Sequence, residues 1–294
     1  MSLQAALLVL TAALLHACWN FATRKSQGSL PVLWLSLLLA GLAFLPVSVV
    51  AAWGQKLTWA GVGYLAATSG IHAVYFPLLA AAYRAGQISL VYPVARGTGV
   101  AGTAALAFAA GIDPFKPLAA GAILCVCAGI FLIGLRRGGD GGRAARWSMA
   151  FALGVGAAIV MYSLADKLAV STRGSMFLPP GGLHPLVYID AVFLGTAILM
   201  APYVWRRASL AGLRSAMTGQ KRYILSIGPV SLCTYLLILF AYQMGPLSSV
   251  VAMREFSVVI GSVMGFVLLK EPVTARRIAG IGLVTAGMVL LKAS

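Results

Sequence analysis

The sequence predicts an all-α integral membrane protein with ten transmembrane helices arranged as two inverted five-helix repeats. Three observations carry this. Hydrophobic residues make up 61% of the 294-residue chain and charged residues 10%, against roughly half apolar and a quarter charged in a soluble domain. The apolar residues fall into ten runs of near-spanning length. The halves of the chain also share an ordered set of residues.

A hydrocarbon core of ~30 Å takes about 20 apolar residues per helix. Cutting at charges, prolines and glycines places helices at 3–23, 31–53, 59–83, 87–110 and 117–135 in the first half. The second half reads 147–169, 184–204, 223–244, 247–269 and 275–291. The first run is read as a retained helix, because Arg24 and Lys25 follow it and no basic residue precedes it. A secretory signal has the opposite order.

The net charge of +16 is carried in short loops between apolar runs. That pattern fits membrane topology, and no nucleic-acid partner is expected. Alternating loops put Arg24, Lys25, Arg84, Arg136, Arg137, Arg143, Arg146, Arg206, Arg207, Arg214, Lys221, Arg222, Lys270, Arg276 and Arg277 on one side. Lys56, Lys116, Lys167, Arg173 and Lys292 fall on the other, and Arg96 and Arg254 lie within helices. By the positive-inside rule the richer side is cytoplasmic, so both termini are expected in the periplasm of a bacterial inner membrane. Trp53, Trp59, Trp147 and Trp205 sit at helix ends, as headgroup anchors do. Cys18, Cys125, Cys127 and Cys233 lie in apolar runs without metal-site spacing and are read as packing residues.

The duplication is seen by setting Ala82-Tyr83-Arg84-Ala85-Gly86 against Ala241-Tyr242-Gln243-Met244-Gly245, an offset of 159. Ser89 then meets Ser248, Gly102 meets Gly261 and Gly121 meets Gly280. One residue out of register, Asp113-Pro114 meets Glu271-Pro272 and Ala128-Gly129 meets Ala286-Gly287. The organisation is a first repeat at 1–136, a basic cytoplasmic linker at 137–146 and a second repeat at 147–294. Five is odd, so the second half enters the membrane upside down. Inverted halves meeting at a midplane site are a recurrent plan of secondary transporters.

Lys270-Glu271-Pro272, the glycine-rich stretch Ala279-Gly280-Ile281-Gly282 with Ala286-Gly287, and His16-Ala17-Cys18-Trp19-Asn20-Phe21 resemble the drug/metabolite transporter superfamily, EamA-type branch. The likeness spans essentially the whole chain. It implies an exporter of amino acids or other small metabolites, similar to the YddG-type aromatic amino-acid exporters. One departure is that the first repeat carries Asp113 where the second carries the more usual glutamate, Glu271.

An arginine near the bilayer centre costs at least ~2.5–3.5 kcal/mol and turns to protein or water. Arg96 and Arg254 both lie deep within helices, and at the 159 offset Arg96 aligns with Glu255. Arg96 or Arg254 could meet a substrate carboxylate and Glu255 its ammonium, or the three could brace the halves as a structural ion pair. Glu255 is the candidate for proton coupling if it stands unpaired. His16, Trp19 and Asn20 lie on the first helix, and at an offset of 143 Trp19 aligns with Tyr162 and Asn20 with Ser163 on the sixth. With His72, Tyr75, Tyr92 and Tyr235 these complete the candidate substrate site. Aromatic walls suit an amphipathic solute, although such residues also pack between helices.

Pro77, Pro93 and the glycines 97, 99 and 102 mark helices three and four for bending. Gly121 with Gly129, Gly261 with Gly265, and Gly282 with Ala286 have the spacing of close helix packing. Asp166, Lys167 and Asp190 are read as interfacial, and Asp113 and Glu271 as caps of the helices that follow them.

No HExxH, GxSxG or phosphate-loop pattern occurs, so neither enzymatic activity nor a cofactor or metal is expected. A carrier of phosphorylated metabolites or nucleotide sugars would call for a denser basic cluster at the midplane, and a channel or scaffold has no need of a duplicated polar interior. A monomer working on a small-molecule substrate within the lipid bilayer suffices, and the small-residue helices could serve either internal packing or a dimer.

Overall fold

The structure, a computed structural model, describes the chain except residues 27–28, 86–87, 135–142, 269 and 271–272. For residues 24, 80, 82–85, 88–93, 134 and 143–145 it describes the backbone alone. Twelve helices are present among the described residues, and no strand. The first half holds α1 (Leu3–Lys25), α2 (Leu30–Ala51), α3 (Trp59–Ala85), α4 (Ile88–Ala109) and α5 (Pro117–Gly134). The second holds α6 (Arg143–Val170), α7 (Pro185–Arg207), α8 (Leu210–Gly219), α9 (Lys221–Met244), α10 (Leu247–Arg254), α11 (Phe256–Leu268) and α12 (Ala275–Ala293). Among the described residues seven spans are long and apolar enough to cross a membrane: those of α1, α2, α3, α6, α7, α9 and the continuous α10–α11. The 117–133 stretch of α5 is a shorter apolar helix.

Two elements differ from the sequence reading. The loop expected after the seventh span contains α8, started by Ser209, whose Oγ accepts from the Gly212 N–H at 3.1 Å. The ninth span tightens at Glu255, where the N–H bonds Ala252 O and Val258 N–H bonds Glu255 O. Both bonds reach across three residues, so a 3₁₀-like step divides α10 from α11. α3 and α4 run as helix through Pro77 and Pro93.

Helix pairs cross between the halves. α5 lies on α12, α1 on α9, α3 on α6, α2 on α7, and α4 on α6 and α10. Trp34 of α2 joins its partner helix directly, with Nε1 donating to Ala197 O at 2.8 Å. Trp53, Trp59, Trp147 and Trp205 are exposed, as headgroup anchors would be. All four cysteines are free thiols.

Glycine explains the closest of these crossings. A Cβ at Gly129 would stand 2.7 Å from Gly280 O, and one at Gly280 would stand 2.8 Å from Gly129 O. The α5–α12 contact is therefore backbone against backbone, and it uses Gly280 and Gly287. Gly282 and Gly121, expected in that role, meet open space, as does Gly261. In α4 the glycines are seats for side chains: Gly97 meets Phe131, Gly99 meets Ile159 and Gly102 meets Val160, all within 3 Å of an added Cβ. Gly280→Leu is expected to abolish recovery of monodisperse protein in detergent, because no low-energy rotamer fits between the two backbones. Gly282→Ala is expected to behave like wild type in the same size-exclusion measurement.

The depth of two acids also differs from the sequence reading. Asp166 and Asp190, expected at the interface, are buried at 0% and 1% exposure. The 171–184 loop folds back over the end of α6: Gly181 N–H donates to Leu168 O and Leu183 N–H to Ala169 O, each at 2.8 Å. Tyr64 OH on α3 donates to Pro179 O at 2.6 Å. A helix end that looks terminal in sequence is thus roofed by chain, and Asp166 lies beneath it.

Candidate functional site

The buried charges that the sequence singles out meet. Arg96 of α4 donates from Nη1 to Glu255 Oε1 at 3.1 Å. Its Nη2 donates to His16 Nε2 of α1 at 2.5 Å. A guanidinium only donates, so that imidazole nitrogen carries a lone pair and no proton. Arg254 approaches the same Glu255 oxygen with Nε at 3.7 Å, an ion pair beyond hydrogen-bonding distance. Arg96, Arg254 and Glu255 are all at least nine-tenths buried.

Arg96 and Glu255 are 159 positions apart, the offset of the duplication, and they touch. Glu255 stands at the step between α10 and α11. There it follows the last residue of one helix and opens the next, where the backbone N–H groups of α11 favour a negative charge. The carboxylate is therefore held by its position as well as by its two cationic neighbours. Glu255 is thus paired with Arg96 and Arg254, and is not the unpaired carboxylate that proton coupling through it would use.

Several atoms of this centre keep hydrogen-bonding capacity in hand. Arg254 Nε and Nη2, Glu255 Oε2 and Trp19 Nε1 are buried and have no hydrogen-bond partner among the described residues. Trp19 packs edge-on to His16 with ring centroids 5.0 Å apart. Asn20 turns away from this group, its Nδ2 donating to His16 O on its own helix at 2.9 Å.

A second group of the predicted residues forms an aromatic cluster where α3, α6 and α9 meet. His72 lies 4.6 Å from Tyr162, 5.8 Å from Tyr235 and 6.1 Å from Tyr75, centroid to centroid. Tyr75 and Tyr162 are 6.2 Å apart in a T-shaped pair. His72 Nδ1 donates to Thr68 O at 2.9 Å, so Nδ1 is the protonated nitrogen. Arg254 is within electrostatic reach of Tyr162 and Tyr242, which links the two groups. Ser163 is fully buried beside Tyr242. Tyr92 belongs to α4, with its side chain outside the described ones.

Three features of the region escape the sequence reading. The first is Asp166, whose Oδ1 accepts from Thr68 Oγ1 at 3.0 Å and from Tyr188 OH at 2.7 Å. Its Oδ2 accepts from Tyr235 OH. The helical spacing Tyr162–Asp166 is the signal that could have found it, since residues four apart share a face.

The second feature is Asp113. It caps α10, in the other half, where the helix following it in the chain, α5, was expected. Oδ1 accepts from Leu247 N–H at 2.9 Å and Oδ2 from Ser248 N–H at 2.7 Å. Glu271, its counterpart, lies outside the described residues. The third is Lys167, whose Nζ donates to Tyr242 O and, at 2.9 Å, to Gly245 O. It satisfies carbonyls that the end of α9 leaves open. The α9–α10 turn is thus held by an anion on one side and a cation on the other.

Residues 180–293 match the model of the EamA-like transporter family. That match supports a membrane transporter of the drug/metabolite superfamily. A solved protein crystal structure superimposes on 98% of this chain and 97% of its own, with a TM-score of 0.75 at 17% sequence identity. At that identity the likeness is one of fold alone. No curated protein matches the sequence.

Proposed function

We propose that the chain is a secondary transporter that exports amino acids or related small zwitterions across a bacterial inner membrane by alternating access. In this reading ten spans form two inverted halves, with α8 lying outside the count, α10–α11 forming one span and both termini in the periplasm. The exchange of helix pairs supports the two-fold plan. If α1–α5 are matched in order with α6, α7, α9, α10–α11 and α12, the α1–α9 pairing becomes α6–α3. The α2–α7 and α5–α12 pairings then map onto themselves.

The observation that carries the substrate class is the pair of neighbouring buried charges with unused capacity. Arg254 offers Nη2 and Nε, and Glu255 offers Oε2. A guanidinium fits a carboxylate, and a carboxylate fits an ammonium, so an α-amino acid would satisfy both. Trp19, the donor at the rim, and the aromatic cluster beyond Arg254 would favour an apolar or aromatic side chain. A dianionic phosphate is a poorer match, because Glu255 sits between the two arginines and cancels one of them.

The test is counterflow in proteoliposomes against a panel of labelled amino acids. Flux is expected for a subset that includes aromatic ones, and it is expected to vanish in Arg254→Ala. Liposomes that exchange no amino acid would remove this substrate class.

A further inference from the structure

Four acids fall among the described buried residues, and their surroundings differ in kind. Asp113 takes two backbone N–H groups. Glu255 faces two guanidiniums. Partners of both types only donate, so neither offers an acceptor to a proton on the carboxylate. Asp190 lies beside Ser48 where α7 meets α2, away from the ionic centre. Asp166 joins two conditions that the others do not: its three partners are the hydroxyls of Thr68, Tyr188 and Tyr235, and Tyr235 belongs to the aromatic cluster.

A hydroxyl can donate or accept. With Asp166 ionised, all three donate to it. With a proton on Oδ2, that O–H donates to the Tyr235 oxygen while the Tyr235 hydrogen swings away. Thr68 and Tyr188 go on donating to Oδ1. The carboxyl group is thus hydrogen-bonded in both protonation states. The cage draws on α3, α7 and α9 around α6, and Tyr235 belongs also to the aromatic cluster with His72 and Tyr162. Loss or gain of charge on Asp166 therefore acts on the wall next to the ionic centre.

We infer that Asp166 is the proton-carrying residue of this transporter, loading one proton from the aqueous phase on one side of the membrane and releasing that proton to the other. The step is a change from carboxylate to carboxylic acid and back, with Tyr235 reorienting its hydroxyl each time. The other ionisable groups towards this part of the packed elements include Tyr162 on α6, Tyr64, His72 and Tyr75 on α3, Arg96 on α4, Tyr188 and Asp190 on α7, Tyr242 on α9 and Arg254 on α10. Arg96 is engaged by Glu255 and His16, and His72 donates to Thr68 O. Arg254 is within electrostatic reach of Asp166. Lys167, next in sequence, turns to the end of α9.

The inference rests on the transport reading, but its first test needs no substrate. Infrared difference spectra of purified protein in nanodiscs, taken across a pH titration, should show a buried carboxyl C=O band that appears on acidification. The band should be lost in Asp166→Asn and kept in Asp190→Asn. Tyr235→Phe, which removes one hydroxyl and keeps the carboxyl, should move its midpoint and so covers the case in which Asp166→Asn does not fold. A band that persists in Asp166→Asn, or a midpoint unmoved by Tyr235→Phe, would overturn the assignment.

In proteoliposomes, a pH gradient should drive accumulation of labelled phenylalanine by wild type, and Asp166→Asn should lose that drive. Gradient-driven accumulation by Asp166→Asn would also overturn it. If no amino acid is exchanged at all, the substrate class fails while the infrared result still decides Asp166.

Discussion

Glu255→Ala is expected to unfold at a much lower temperature in detergent than wild type and to transport nothing. The substitution leaves Arg96 and Arg254 facing each other in the membrane interior without their common counter-ion. Breaking a buried pair by removing one partner costs about 3–5 kcal/mol, a large share of a stability of about 5–15 kcal/mol. Glu255→Gln should be milder in stability, because an amide oxygen still accepts from Arg96 Nη1. It should remain inactive toward zwitterions for want of a negative charge to meet the ammonium.

A triple variant separates the two roles. Arg96→Met with Arg254→Met and Glu255→Leu removes every charge at once, and buried ionic clusters replaced in this way often lose no stability. Its melting temperature should recover while counterflow stays at background. Transport by the triple variant would show that the ionic centre is a brace and that the solute binds elsewhere.

Asp113→Ala is the second change expected to act strongly, although it lies at the far end of α10 from the ionic centre. The Leu247 and Ser248 N–H groups would lose their acceptors in a buried setting, at about 1–3 kcal/mol each. Asp113→Asn keeps one acceptor oxygen and should fall between. The effect should be local first, with faster amide hydrogen exchange across residues 247–254 than in wild type. Because α10 ends in Arg254 and Glu255, the apparent KM for substrate should rise as well. Exchange unchanged over that segment would mean that the carboxylate is dispensable to the helix.

What could be read from the sequence follows from what water and lipid enforce. Apolar length marks helices whatever they pack against, so the positions of α1–α7 and α9 were legible within a few residues. The charged pair was legible because arginine deep in an apolar run has few tolerable partners, and Arg96 and Glu255 do meet. The packing surfaces were not. Gly280 and Gly282 look alike as small residues, yet only one faces α5, since rotation of α12 about its axis leaves no trace in composition.

Asp166 was misplaced for a related reason. Its depth was counted from the end of an apolar run, and the proline- and glycine-containing 171–184 loop that roofs it carries no periodic signal that it folds back as cover. Asp113 shows the limit from another side. A cap is expected on the nearest helix in sequence, whereas here the open N–H groups closest in space belong to α10, well over a hundred residues further along.

The contact between residues 96 and 255 bears on how such a chain can vary. Under the proposed duplication these are one position seen twice, lying close to the axis that relates the halves. In an assembly of two identical subunits that position would have to carry the same side chain on both, so two arginines or two glutamates would confront each other. Joining the copies in one polypeptide lifts that restriction. Each copy is then free to drift alone, and a donor can settle opposite an acceptor.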